Sequence, residues 1–330
     1  MHLRGSLAGR RSLPTLRLLA PPLVALLLFS ASVGQAAAAG IDDSHLSHGN
    51  RGVNVKALQH FLRHHGSPIA VTALFDNATV GALRTFQWRH GLLGTGAIDA
   101  ATWAALRVTL TAGSSGESVL AAQRLLNEKR LAGLALTATY DAPTRAAVLA
   151  FQGHAGITKT GNVGPVTWRA LLAHFELPVW GRTLCDYSVG NGRANWGTAA
   201  AIGQLQAAAH VVVGDGHGRV ALGDIGFEHG GDIPGHVTHE LGLDVDVRPM
   251  RDAKDQCARG VSWRSTAYDR AATRDLVVAV RATARQHVKL IYFNDPVLAR
   301  EGLTTSSGGH DDHLHIRDCE RVHLVTAYAC

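Results

Sequence analysis

The stretch His236-Val237-Thr238-His239-Glu240-Leu241-Gly242-Leu243-Asp244-Val245-Asp246-Val247 decides how the C-terminal half folds. From Leu243 onward it alternates apolar and acidic residues. A period of two puts Leu243, Val245 and Val247 on one face of a strand and Asp244 and Asp246 on the other. A second stretch, His310-Asp311-Asp312-His313-Leu314-His315-Ile316, alternates likewise, with His313 and His315 opposite Leu314 and Ile316. Two such strands, side by side with polar faces aligned, bring Asp246 and His315 to one point. His239 lies on the approach to the first strand and completes a His-Asp-His set. Two imidazoles and a carboxylate can hold one zinc ion, and three protein ligands with an open fourth position define a catalytic site. Asp244 shares the face of Asp246 and has two readings, orienting a ligand imidazole or pointing into solvent.

Other hydrolase patterns are excluded. His239-Glu240 begins a zincin-like string, but position 243 is Leu, so no second histidine follows at the helical spacing. No Gly-x-Ser-x-Gly occurs, which removes that serine-hydrolase signature.

The 330-residue chain is long enough for two or three domains. Residues 1–39 read as a secretory signal peptide. Arg4, Arg10, Arg11 and Arg17 precede an apolar stretch broken by Pro21-Pro22, then a small-residue region ends at Ala39. That apolar run is short for a membrane span and no other exists, so no span is expected in the mature chain. Without those four arginines, 28 Lys and Arg face 26 Asp and Glu. A balance near +2 gives no reason to expect nucleic acid or an anionic membrane as partner. No feature points to an oligomeric state. All four cysteines lie beyond residue 180, an even count that suggests two disulfides in an exported chain. The pairing favoured here joins Cys185 to Cys257 and Cys319 to Cys330.

Between the leader and the cysteines the chain repeats itself once. Gly52, Val55 and Gln59 recur as Gly116, Val119 and Gln123. Phe75-Asp76-x-x-Thr79 recurs as Tyr140-Asp141-x-x-Thr144, Phe86-Gln87 as Phe151-Gln152, and Thr102-Trp103-x-x-Leu106 as Thr167-Trp168-x-x-Leu171. Each copy reads as three short helices. Asp76 is placed to cap a helix at Thr79–Trp88, and Pro143 suits a first helical turn. The paired Phe-Gln and Thr-Trp positions are expected to fill the core. After Leu177-Pro178 the pattern changes. Val211–Val213 and Val220–Leu222 read as strands, Thr198–Ala209 and Asp269–His287 as helices, and Val288–Phe293 as a strand. The fold class is therefore α+β: two small three-helix bundles at 48–106 and 113–173, then an α+β domain at 179–330 with a central antiparallel sheet.

The repeated pattern resembles the peptidoglycan-binding three-helix domain attached to many cell-wall hydrolases. The second copy departs from it, with Ala122 for Leu and Gly153-His154-Ala155-Gly156-Ile157 for the usual Gly-Leu turn. The two histidine stretches, with Asn195-Trp196-Gly197, Gly223-Asp224, Gly230-Gly231 and Pro249-Met250, resemble the penicillin-insensitive murein endopeptidases within the lysostaphin and D-Ala-D-Ala metallopeptidase-like group. The resemblance implies Zn2+ held by His239, Asp246 and His315, with His313 as the catalytic imidazole. His310 stands where D-Ala-D-Ala carboxypeptidases carry Glu, so His310 and His313 share the base role. His236 matches a family histidine, as a support or as a ligand of another metal. The implied protein is a secreted, cell-wall-associated endopeptidase whose partner is peptidoglycan, cutting between a D-alanine carbonyl and the side-chain amine of a neighbouring stem peptide. The alternatives are a zinc D,D-carboxypeptidase or amidase on the same polymer, or an inactive wall-binding protein.

Overall fold

A computed structural model describes residues 46–188, 193–320, 323 and 325–330. The leader expected at 1–39 lies outside them. Six helices form the N-terminal half: α1 (Val53–His64), α2 (Asn77–Arg89), α3 (Ala100–Leu106), α4 (Glu117–Arg130), α5 (Ala142–His154) and α6 (Pro165–Ala173). Side-chain caps set three of the helix starts. Asp76 accepts from the Thr79 amide at 2.8 Å, Asp99 from Thr102 at 2.7 Å and Asp141 from Thr144 at 2.9 Å. Each such cap is worth about 1 kcal/mol.

The two copies share one core. Phe61 on α1 meets Trp103 of its own copy edge-on at 6.1 Å and Trp168 of the other at 4.9 Å. All three side chains are fully buried. The repeated glutamines are buried as expected, and each is also a hydrogen-bond knot. The Gln59 amide donates to Thr72 Oγ1, the Leu74 carbonyl and Thr79 Oγ1, while its oxygen accepts from the Thr72 and Ala73 amides. Gln87, Gln123 and Gln152 tie the corresponding turns in the same way. A buried amide needs such partners, because an unmet one costs about 1–3 kcal/mol.

The C-terminal half contains β1 (Leu184–Asp186), α7 (Ala199–Gly214), β2 (Val220–Leu222), β3 (Asp244–Val247), α8 (Arg270–Ala284), β4 (Val288–Tyr292), α9 (Pro296–Arg300) and β5 (Leu314–Asp318), ending in a 3-10 turn at Thr326–Tyr328. The strands form one sheet in the order β1-β2-β3-β5-β4. Its centre is antiparallel as expected, but the edge pair β1–β2 is parallel. Helices α7 and α8 supply Ile202, Leu205, Val212, Leu276, Val277 and Val280 to the core beneath it. Val211–Val213 is the last turn of α7 and not a strand. The Ala-rich helix simply continues through these β-branched residues, and Val212 packs into the core, so tertiary burial overrides local propensity. Both disulfides are Cys185–Cys257 and Cys319–Cys330.

The halves pack closely. An added Cβ on Gly203 would stand 2.6 Å from the Gly52 amide nitrogen, so α7 meets the start of α1 at a point where only glycine fits. No described helix is long and apolar enough to cross a membrane.

Candidate active site and metal centre

Strand register builds the site. In the β3–β5 pair Asp246 lies directly opposite His315, Val245 opposite Ile316 and Val247 opposite Leu314. The apolar members enter the core. The polar members face the other side and are almost fully buried. His239 joins them from the loop before β3, with φ at +80°. A non-glycine residue there pays a backbone cost, and its surroundings hold it: its amide donates to Asp244 Oδ2 at 3.3 Å.

Hydrogen bonds fix which ring nitrogens face inward. His239 Nδ1 donates to the Ile225 carbonyl at 3.2 Å, leaving Nε2 toward the site. His315 Nε2 donates to Asp244 Oδ1 at 2.8 Å, leaving Nδ1. The two inward nitrogens are 3.2 Å apart. Asp246 Oδ1 is 3.2 Å from His315 Nδ1 and 3.4 Å from His239 Nε2. Adjacent donors around a tetrahedral cation with bonds of about 2.0–2.1 Å are roughly 3.3–3.4 Å apart. The triangle's edges therefore fit one four-coordinate metal, and ring nitrogens this close need either a proton or a metal ion between them.

His236 offers a second, looser arrangement. It forms a metal-capable group with His239 and Asp246, but its Nδ1 is 3.9 Å from Asp246 Oδ2 and its Nε2 is 3.0 Å from Asp224 Oδ2. The shorter edges to His315 favour the triangle above.

Asp244 is buried and not solvated. Besides His315 it accepts from Arg317 Nε at 2.7 Å and the Tyr328 hydroxyl at 2.6 Å. Burial alone would push both aspartates toward the neutral form. The hydrogen bonds from His315, Tyr328 and Arg317 outweigh it and hold Asp244 down at about 2. Facing His239 and His315, Asp246 is held well below the usual carboxylate range. For His315 burial also opposes charge, yet Asp244 and Asp246 prevail and lift its pKa to about 9. The pocket is a strong sink for positive charge, carried by a proton or by a metal.

At the rim stand His313 and His310, their rings 4.9 Å apart. His313 Nε2 is 3.9 Å from Asp246 Oδ1, and its Nδ1 lies 3.0 Å from Asp312 Oδ1. His310 Nδ1 bonds the Gly308 carbonyl at 2.9 Å. Burial, then His313, lowers the His310 pKa. Asp311 anchors this segment through Trp263 Nε1 at 3.0 Å, Asn294 Nδ2 at 2.9 Å and Arg264.

Residues 51–106 and 115–171 match the peptidoglycan binding domain family, and residues 170–294 match the penicillin-insensitive murein endopeptidase family. The chain carries two peptidoglycan-binding domains followed by a murein endopeptidase domain. No curated protein shows significant similarity to it.

The endopeptidase match ends at residue 294, before the second histidine stretch. The β3–β5 register, rather than the match, brings His313 and His315 to Asp246. Several residues of the C-terminal half that shape the site were not singled out by sequence. Asp312 orients His313, and Tyr328 and Arg317 hold Asp244. Tyr187 packs on Gly223 so closely that a Cβ there would stand 2.6 Å from its hydroxyl, and Arg248 covers the ring at 4.2 Å. Only Asp312 carried a sequence signal, its adjacency to His313.

Proposed function

We propose that the protein is a secreted zinc endopeptidase that hydrolyses the peptide cross-links of peptidoglycan, tethered to its substrate by the helical domains. The observation that carries this reading is the triangle of His239 Nε2, Asp246 Oδ1 and His315 Nδ1, with edges of 3.2, 3.2 and 3.4 Å, two corners of which, His239 and Asp246, lie within the residues that match the murein endopeptidase family. These three residues would hold the metal. When bound, zinc supplies Lewis acidity toward a peptide carbonyl and lowers the pKa of water toward neutrality.

The chain supplies the rest. Asp244 keeps His315 in the tautomer that presents Nδ1, and the Ile225 carbonyl does the same for His239 Nε2. His313, backed by Asp312, takes the proton from the attacking water and returns it to the leaving amine. His310, its ring 4.9 Å from that of His313 and its Nδ1 held by the Gly308 carbonyl, shares this proton-transfer role. The rim position of both leaves the face open to a polymeric substrate. Two domains of a peptidoglycan-binding family on one chain raise the effective concentration of catalyst at the wall. Export agrees with the leader-like first 39 residues and with two disulfides, which persist in oxidising compartments.

The test is chelation and restoration on purified sacculi. Muropeptide release should stop with chelator and return on adding zinc. Release that persists in the fully metal-stripped protein would overturn the proposal.

A further inference from the structure

A second cluster of imidazoles lies outside this site, where the second helical domain meets the endopeptidase domain. His154 ends α5, His174 follows α6, and His229 lies in the loop between β2 and β3. One ring nitrogen of each falls within 4.8 Å of the others. The rings converge, with centroids 5.0, 5.4 and 5.7 Å apart. Glu228 joins them, its Oε1 3.1 Å from His154 Nε2 and 3.6 Å from His174 Nε2.

His174 gives the arrangement its direction. Its side chain is nearly inaccessible, and Nδ1 donates to the Phe175 carbonyl at 2.6 Å. That bond leaves Nε2 unprotonated, with its lone pair turned into the cluster, and Nε2 has no hydrogen-bond partner. His154 Nε2 is buried beside it, with Glu228 Oε1 3.1 Å away. A buried, unsatisfied ring nitrogen such as His174 Nε2 is costly as it stands, and metal-ligating histidines commonly have the other nitrogen bound to a carbonyl in this way. The C-termini of α5 and α6 also favour a cation here. Repeat spacing puts Arg89 and Thr109 where the second copy has His154 and His174, so the cluster belongs to the second copy alone. His154 falls within the segment where that copy departs from the wall-binding pattern.

We propose that His154, His174, His229 and Glu228 form a second site for a divalent transition metal such as zinc. Three imidazoles and a carboxylate suit zinc and its neighbours. Arg130 pairs with the same Glu228 oxygen, so the ion would share that carboxylate with the guanidinium. The ion would clamp the second helical domain to the β2–β3 segment, which also carries His236 and His239.

The test is metal content of the full chain after dialysis against buffered zinc, measured for wild type, D246A, H229A and H154A/H229A. Wild type should hold about two equivalents, while D246A and H154A/H229A should each hold about one. Combining D246A with H154A/H229A should leave none. His229 is exposed, so H229A preserves the fold and should weaken the second equivalent at least tenfold. Equal metal content in wild type and H154A/H229A, or D246A holding no metal, would overturn the site. Because D246A empties only the first site, the two outcomes separate this inference from the proposed activity.

Discussion

Replacing Asp244 by Asn tests whether the site is held from behind. The carboxylate accepts four hydrogen bonds: from His315 Nε2 at 2.8 Å, Arg317 Nε at 2.7 Å, the Tyr328 hydroxyl at 2.6 Å and the His239 amide at 3.3 Å. An Asn keeps one acceptor. If its oxygen stays with His315 and Arg317, its NH2 meets the Tyr328 hydroxyl, which can turn to accept, and the His239 N–H, which cannot. Hydrogen bonds to charged groups are worth about 1.5–3 kcal/mol each, and those to Arg317 and His315 fall by roughly half when the charge goes. Arg317, largely buried, also loses its counter-ion. Together this predicts a loss of about 3 kcal/mol in urea unfolding of the metal-free protein, near the low end for a broken buried pair. Metal affinity, read by competition with a chromophoric chelator, should fall about 10–100-fold. A D244N protein that unfolds more easily yet binds metal within about twofold of wild type would refute the claim that Asp244 orients the ligands.

H313A should keep its metal and lose about 10²–10⁴-fold in turnover, whereas H239A and D246A should lose the metal itself; metal analysis beside a muropeptide assay separates them. F61A should cost about 3–5 kcal/mol and destabilise both helical copies in one cooperative transition by calorimetry, since Phe61 touches Trp103 and Trp168 alike; two separate transitions would show independent bundles. His315, raised to about 9, holds a proton in the metal-free protein at pH 7.5, which metal must displace. Calorimetric titration of H154A/H229A in buffers of differing ionisation enthalpy should therefore show about one proton released per metal, falling away as pH rises through 9. Trp88 and Leu93 are both 82% exposed, and W88A should weaken sacculus binding by roughly fivefold, or about 1 kcal/mol, with unchanged melting.

The centre of the site was legible because strand alternation is a strong local signal. Once Asp246 and His315 were placed on strands with polar faces aligned, their pairing followed, and the register puts them directly opposite. The helical repeat was legible because its motifs recur at a fixed spacing, down to the Asp76 cap. What escaped depends on distant residues. Tyr328 reaches Asp244 because the Cys319–Cys330 bridge and backbone hydrogen bonds to Glu320 hold the chain end beside β5. The fusion of the two bundles turns on Phe61 meeting Trp168, a contact that leaves no trace in local periodicity. Val211–Val213 looked like a strand by propensity and became helix because α7 is buried along that side. The repeated glutamines read as core filler, and only the turn geometry shows them as knots.

The most direct test of the central claim uses an isolated cross-linked dimer muropeptide as substrate and mass spectrometry as readout. Zinc-loaded wild type should convert the dimer to two monomers with uptake of one water, and D246A should leave it intact. Release of free D-alanine or of sugar-free peptide with the cross-link preserved, or equal conversion by D246A, would contradict the account.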